Sequence, residues 1–171
     1  MAELFRGGVL IAATITTGLV AGLFYAYACS VMLALRRVDD RTFITVMQLI
    51  NRAILNGWFA LSFVGALAFT GVAIVLYALD DGGAILWPLG GALVIYIVTI
   101  FVTRRFNISL NNELDAAGAP ERIGNPAAVR RRFEDPWIRW NVVRTLLSLA
   151  AFGCLCWALL IEGHGQTLIW W

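Results

Sequence analysis

Four polar residues, Thr99, Thr103, Asn107 and Asn111, recur at intervals of four, the spacing that stacks side chains on one face of a helix. Gln48, Arg52 and Asn56 repeat that interval upstream with Asn51 beside them, and Asn141, Arg144, Thr145 and Ser148 follow at spacings of three and four. Tyr25, Tyr27 and Ser30 add hydroxyls from a fourth segment. An amide or guanidinium at lipid depth is costly unless paired, so such stripes face either a neighbouring helix or an enclosed cavity. Facing a helix, they act as glue, at about 0.6 kcal/mol per bond in membrane proteins. Facing a cavity, they furnish it with hydrogen-bond donors from several directions.

Other chemistries lack their residues. The single histidine, His164, stands between glycines near the C-terminus, so a bis-histidine haem or a histidine-rich metal centre has no ligand set, and no metal site is expected. Cys154 and Cys156 diverge by about 200° on a helix and make no ligand pair. They and Cys29 lie in apolar stretches, where a thiol serves as a small buried hydrophobe. No phosphate-cradling glycine loop or nucleophile elbow occurs. Few ionisable groups fall inside the apolar runs, which leaves little machinery for ion-coupled transport.

The elements that carry these stripes are membrane spans. Of 171 residues, 60% are apolar and 14% charged, with a mean hydropathy of +0.78, so the apolar surface must meet lipid. The expected fold is all-α, an integral membrane four-helix bundle forming a single domain over 1–171. Its spans run over about 8–35, 57–79, 84–103 and 142–161, each near the ~20 residues that cross a hydrocarbon core. Ala26, Tyr27 and Ala28 resemble a signal-peptidase site, but the apolar run continues past them.

Beyond the spans the helices extend on one side. Asp39 and Asp40 open a helix towards span two that must project into water or bend near Asn56 and Gly57. Asp80, Asp81, Gly82 and Gly83 form a tight turn into span three, which tolerates Pro88 near its start. Span three continues towards Leu114, and Gly118 stops it. In the connection 104–136, Asn125 and Pro126 start a short helix that Pro136 ends, either interfacial with Val129 and Phe133 towards the acyl boundary or a solvated loop helix. Trp137 and Trp140 are placed as interface anchors, with Trp170 and Trp171 at the opposite interface. Gly18 and Gly22 offer a small-residue helix contact.

All thirteen basic residues are arginine, and twelve of them fall in the two connections that share a side; only Arg6 lies elsewhere. The positive-inside rule makes those connections cytoplasmic, leaves both termini extracytoplasmic, and places the chain in the inner (plasma) membrane.

Three phrases carry a family resemblance: Met47-Gln48-Leu49-Ile50-Asn51-Arg52-Ala53-Ile54-Leu55-Asn56-Gly57-Trp58-Phe59, Asn107-Ile108-Ser109-Leu110-Asn111-Asn112-Glu113-Leu114, and Trp137-Ile138-Arg139-Trp140-Asn141-Val142-Val143-Arg144. Together with span one they resemble the anthrone oxygenase-like integral membrane family in order along nearly the whole chain. Two departures are visible. The family usually has proline where Gly57 stands and a Val-Pro pair where Ile108 and Ser109 stand, and both changes relax a kink.

The resemblance implies oxidation of an anthrone or similar hydrophobic aromatic by molecular oxygen. An anthrone that loses its ring-methylene proton becomes an anion able to give an electron to oxygen, so no bound cofactor is expected. The protein then supplies a base, donors for the anion and a dry site. On this reading Asn111, Asn141 and Arg144 are catalytic, and Gln48, Asn51, Arg52, Asn107, Trp140 and Tyr25 bind substrate. The base is left open among Glu113, Asp39, Asp40, a Tyr25 tyrosinate and bulk hydroxide. The expected partners are the aromatic small molecule, oxygen and membrane lipid, and no nucleic acid; a homo-oligomer or a membrane partner protein is left open. The alternative is a non-catalytic membrane subunit or a small-molecule binding module for a lipid or quinone.

Overall fold

The computed structural model describes residues 1–80 and 83–167, with side chains as far as His164. Five helices account for the described chain: α1 (Ala2–Leu35), α2 (Asp40–Ala53), α3 (Gly57–Ala78), α4 (Gly83–Ala116) and α5 (Pro126–Thr167). All but α2 are long and apolar enough to cross a membrane. They pack as a ring in which α1 touches α3 and α5, and α4 touches α3 and α5. Large apolar side chains such as Ile15, Leu61, Val94 and Leu146 point outward and are more than half exposed. That is the inverse of a soluble bundle and the expected surface for lipid. The expected turn at Asp80 to Gly83 is only partly visible, since Asp81 and Gly82 lie outside the described residues, as do Trp170 and Trp171.

The helix boundaries follow from local chemistry. Asp39 caps α2, its carboxylate accepting the backbone N–H of Arg41 and of Thr42, each at 3.1 Å, and the Thr42 hydroxyl. Between α2 and α3 the chain breaks at Ile54 to Asn56. There Asn56 is extended, donates to Ala53 O at 2.7 Å and accepts the Phe59 N–H at 3.0 Å, so one side chain closes α2 and opens α3. The bend expected at this point therefore forms without proline at position 57. Gly118, at φ +84°, terminates α4 in the left-handed region that favours glycine. The stop is fastened from α2 by Gln48, whose amide donates to Leu114 O and Gly118 O at 2.9 and 3.0 Å.

The segment expected as a separate short helix is instead the beginning of α5. Asn125 accepts the Ala128 N–H at 3.0 Å as the cap, but the helix passes through Pro136 and runs for 42 residues. Proline removes one backbone hydrogen bond and crowds the preceding turn; here packing on both sides carries the helix across. Phe133 lies edge-on against Phe43 at 6.1 Å and Val129 packs on the same cluster, so these two residues face α2 and not the acyl boundary. Gly18 forms the tight α1–α5 contact, where a Cβ would meet the Phe152 ring at 2.9 Å, whereas Gly22 has open space.

Two clasps hold the ends. At one, Arg6 pairs with Asp80 and Glu162 and lies over the Tyr77 ring at 4.5 Å, tying α1, α3 and α5 together. At the other, Arg130 donates to Leu35 O, Arg36 O and Val38 O, pairs with Asp40 and Glu134, and covers the Phe43 ring. It thereby satisfies the end of α1, where the helix has run out of N–H donors.

Arg130→Met strands those carbonyls and takes away the partner of Asp40, while Glu134 keeps only Arg36 at 3.6 Å, so it lowers unfolding stability in detergent by about 3 kcal/mol; the exposed Arg131→Met stays within about 0.5 kcal/mol. Hydrogen bonds from the hydroxyl and N–H of Thr42 hold the Asp39 carboxyl below the usual carboxylate range. The sign follows: this stabilisation is present above the unfolded-state value and is lost as pH falls through the lowered folded value. Asp39→Asn keeps a cap but does not titrate, so the wild-type advantage over it in midpoint measurements shrinks on acidification.

Candidate functional site

The polar stripes converge between two apolar layers. On one side lie Val20, Phe24, Ala66, Tyr96 and Ala151; on the other lie Met32, Phe43, Met47, Leu114 and Phe133. Between them is a partly open cavity of about 210 Å³ bounded by α1, the α2–α3 break, α4 and α5. This is small beside the ~300–1,000 Å³ of ordinary ligand pockets, and it is mostly apolar with a few polar groups, as such pockets are. Phe24, Tyr27, Phe59, Phe63 and Trp137 supply its aromatic walls, and Asn51, Arg52, Asn111, Asp115 and Arg144 its polar groups.

Arg144 is the most constrained of these. Its Nε and Nη2 both donate to Asn141 Oδ1, at 3.1 and 3.0 Å. The guanidinium plane lies 4.1 Å from the Phe24 ring centre and 5.1 Å from that of Trp137, a cation–π arrangement from two sides. No carboxylate among the described residues reaches ion-pair distance of it. Asn141, fully buried, spends its amide N–H on Phe24 O at 3.0 Å. It therefore ties α1 to the arginine and positions Arg144 without touching the cavity.

Trp137 carries the wall between Arg144 and α4. Its indole N–H donates to Asn111 Oδ1 at 2.8 Å and its ring tilts against Tyr27 at 5.5 Å. The interface-anchor expectation for Trp137 is thereby corrected, since it is only 3% exposed. Asn111 has its oxygen occupied by Trp137 and lines the cavity. Asn51 is 8% exposed, and its Nδ2 finds no hydrogen-bond partner among the described residues. A buried amide donor without an acceptor costs about 1–3 kcal/mol, a debt that an oxygen of a bound molecule would offset.

The remaining expected site residues separate from the cavity. Gln48 is consumed by the end of α4. Asn107 is fully buried and makes one long bond, to Trp137 O at 3.4 Å, within the α4–α5 contact. Trp140 stacks face to face on Phe106, centroids 3.5 Å apart, with Arg105 over the other ring, on the outer surface. Tyr25 is more than half exposed; its neighbour two residues on, Tyr27, is the one that lines the cavity. Thr99 and Thr103 bond back to the carbonyls four residues earlier on their own helix, the usual resting place of a helical threonine hydroxyl, although Thr103 does line the cavity. Among the candidate bases, Glu113 is exposed and Asp39 is engaged as a cap. Asp40 pairs with Arg130. Asp115 is the carboxylate on the cavity wall, with Arg52 at 3.5 Å from Oδ1.

Two π-helical turns flank the cavity, Tyr27–Val31 in α1 and Thr103–Asn107 in α4. Each widens the helix by one residue, a feature frequent at functional sites. Neither has a sequence signature as strong as a proline, so they escape a reading based on regular periodicity. The inward row Ala13, Thr17, Val20 and Phe24, extended by three, would have favoured Tyr27 over Tyr25.

Fold and site together define a multi-pass, helix-built membrane protein enclosing a chamber with aromatic walls, amides and one buried cation. The sequence profile described as anthrone oxygenase matches residues 58–154, and the chain belongs to that family. The match includes Asn111, Trp137, Asn141 and Arg144 and leaves out Tyr27, Asn51 and Arg52. Comparison with curated proteins and with solved structures gives no match. Among the described residues no three His, Cys, Asp or Glu side chains gather where they could hold a metal ion.

Removing Asn141 alone leaves the Arg144 cation buried with its acceptor gone, so Asn141→Leu destabilises by about 3–5 kcal/mol. Replacing both residues with apolar ones costs less than the sum of the two single changes, by more than about 1 kcal/mol, in a double-mutant cycle on thermal unfolding.

Proposed function

We propose that this protein oxidises a flat, hydrophobic ring-methylene compound of the anthrone class with molecular oxygen, acting as a monooxygenase and drawing its substrate from the bilayer. The observation that carries this reading is Arg144, a cation held without a carboxylate at the edge of an aromatic-walled chamber. Loss of the methylene proton places negative charge on the substrate's carbonyl oxygen. A preorganised guanidinium with the amides of Asn51 and Asn111 is the donor set that such an oxygen calls for. The aromatic walls exclude water and strengthen those interactions.

The reaction balances without a further reductant. The anion gives one electron to oxygen; the resulting ring radical and superoxide combine into a peroxide at the former methylene carbon. That peroxide takes up a proton, the second ring hydrogen leaves as a proton, and the O–O bond breaks. The CH₂ becomes C=O and the other oxygen atom leaves as water. The chamber is partly open, and among its lining residues Leu55, in the α2–α3 break, is 80% exposed. A ligand would enter and protrude there, at the level where the arginine-rich connections place the cytoplasmic leaflet.

Purified protein in detergent or nanodiscs, given a hydroxylated anthrone, consumes one oxygen per quinone formed. Arg144→Gln lowers that rate by about 10²–10³-fold, the usual effect of losing one oxyanion donor, while Gln48→Ala lowers stability and leaves the rate per folded molecule unchanged. Absence of oxygen uptake together with a co-purifying membrane protein would instead identify a non-catalytic subunit.

A further inference from the structure

The chemistry needs a group that removes the methylene proton, and the chamber wall offers a carboxylate that none of the family phrases contains. Asp115 stands one helical turn beyond Asn111 on the same face of α4, and both line the cavity. Trp137 and Arg144 are seven residues apart on α5, about 10 Å along the axis. Trp137 is hydrogen-bonded to Asn111 and its ring centre lies 5.1 Å from the Arg144 guanidinium, so the cation reaches back to the level of Asn111, and Asp115 lies one turn nearer the arginine-rich end.

Side chains in a helix lean towards its N-terminus. On the antiparallel α4 and α5 this turns Asp115 inward and Arg144 outward, towards the chamber that both line. In an anthrone the acidic methylene and the charge-accepting carbonyl occupy opposite edges of the central ring. A carboxylate near the mouth and a guanidinium beside Trp137 offer a base and a donor to those two edges.

We propose, resting on the reading above, that Asp115 is the general base. With the substrate carbonyl held by Arg144, an Asp115 oxygen takes the proton from the methylene C–H bond. The bonding pair enters the ring system and settles largely on the carbonyl oxygen, with no change in oxidation state. Arg52 engages Oδ1 at 3.5 Å, while Oδ2 accepts no hydrogen bond from the described residues. The Asp115 side chain is 38% exposed and that of Arg52 66% exposed, so the proton passes from Asp115 to water at the mouth and the carboxylate is regenerated. This placement separates a wet proton exit from a dry site of charge.

Asp115→Asn is the test, read on oxygen uptake against pH and on binding of the product quinone by quenching of tryptophan fluorescence. The expected result is an about 10²–10⁴-fold loss of rate near neutral pH with quinone binding unchanged. The variant's rate then climbs with pH as the substrate ionises in solution and bypasses the missing base, and Asp115→Glu restores part of the neutral rate. With a substrate deuterated at the methylene, proton removal becomes the slow step in Asp115→Asn, and its isotope effect exceeds that of wild type. An Asp115→Asn rate and pH profile equal to wild type would overturn the assignment of the base while leaving the oxygenase reading intact. Loss of quinone binding in parallel with rate, without recovery at high pH, would also overturn it by making Asp115 a structural residue. No uptake by wild type itself would remove the oxygenase reading instead.

Discussion

Burying one guanidinium inside a bundle that sits in lipid is the constraint around which the rest is arranged. A cation taken from water into a low-dielectric interior loses several kcal/mol unless its N–H groups and charge find compensation. Asn141 and the faces of Phe24 and Trp137 provide that compensation. Asn141 in turn needs an acceptor, which the backbone of α1 supplies at Phe24. Trp137 needs one too, and Asn111 supplies it. A single charge thus fixes the mutual rotation of α1, α4 and α5 through two hydrogen bonds between helices and the ring contacts beside them. An alternative packing would have to satisfy the same atoms in another way, which is why polar residues at such depth specify an arrangement even where they add little stability.

Much of this was legible in the amino-acid order. Long apolar runs, a one-sided distribution of arginine and four polar stripes point to four membrane helices with a polar layer near one end. That layer exists, and Asn51, Arg52, Asn111 and Arg144 do line one chamber. The caps at Asp39 and Asn125 and the stop at Gly118 are local effects, and local effects are readable from neighbours in sequence. Partner choice is not. Nothing near Gln48 in sequence announces that its amide will be spent on Leu114 O and Gly118 O, because those carbonyls belong to a helix end seventy residues away.

Register is the second source of misreading. A stripe drawn at 3.6 residues per turn assumes an unbroken α-helix, but α1 and α4 each insert a wide turn. After Phe24 the next deeply buried residue of α1 is Met32, eight positions on, where regular spacing would give seven. Tyr25 and Trp140, read as ligand contacts, lie off the chamber, while Tyr27 and Trp137 form its wall; for Tyr27 the row through Val20 and Phe24 carries the signal, and on α5, which has no wide turn, tertiary partners decide. Proline misleads for the opposite reason: Pro136 carries a strong local signal for a stop, and tertiary packing of Phe133 and Trp137 on either side overrides it.

The uninterrupted α5 joins two parts of the molecule through one piece of backbone. Pro136 deprives the carbonyl four residues earlier of its helical donor. The turn before it is latched by Arg130 to the end of α1, and the residue after it is Trp137, a wall of the chamber, so the clasp at the arginine-rich end and the chamber share a single helix.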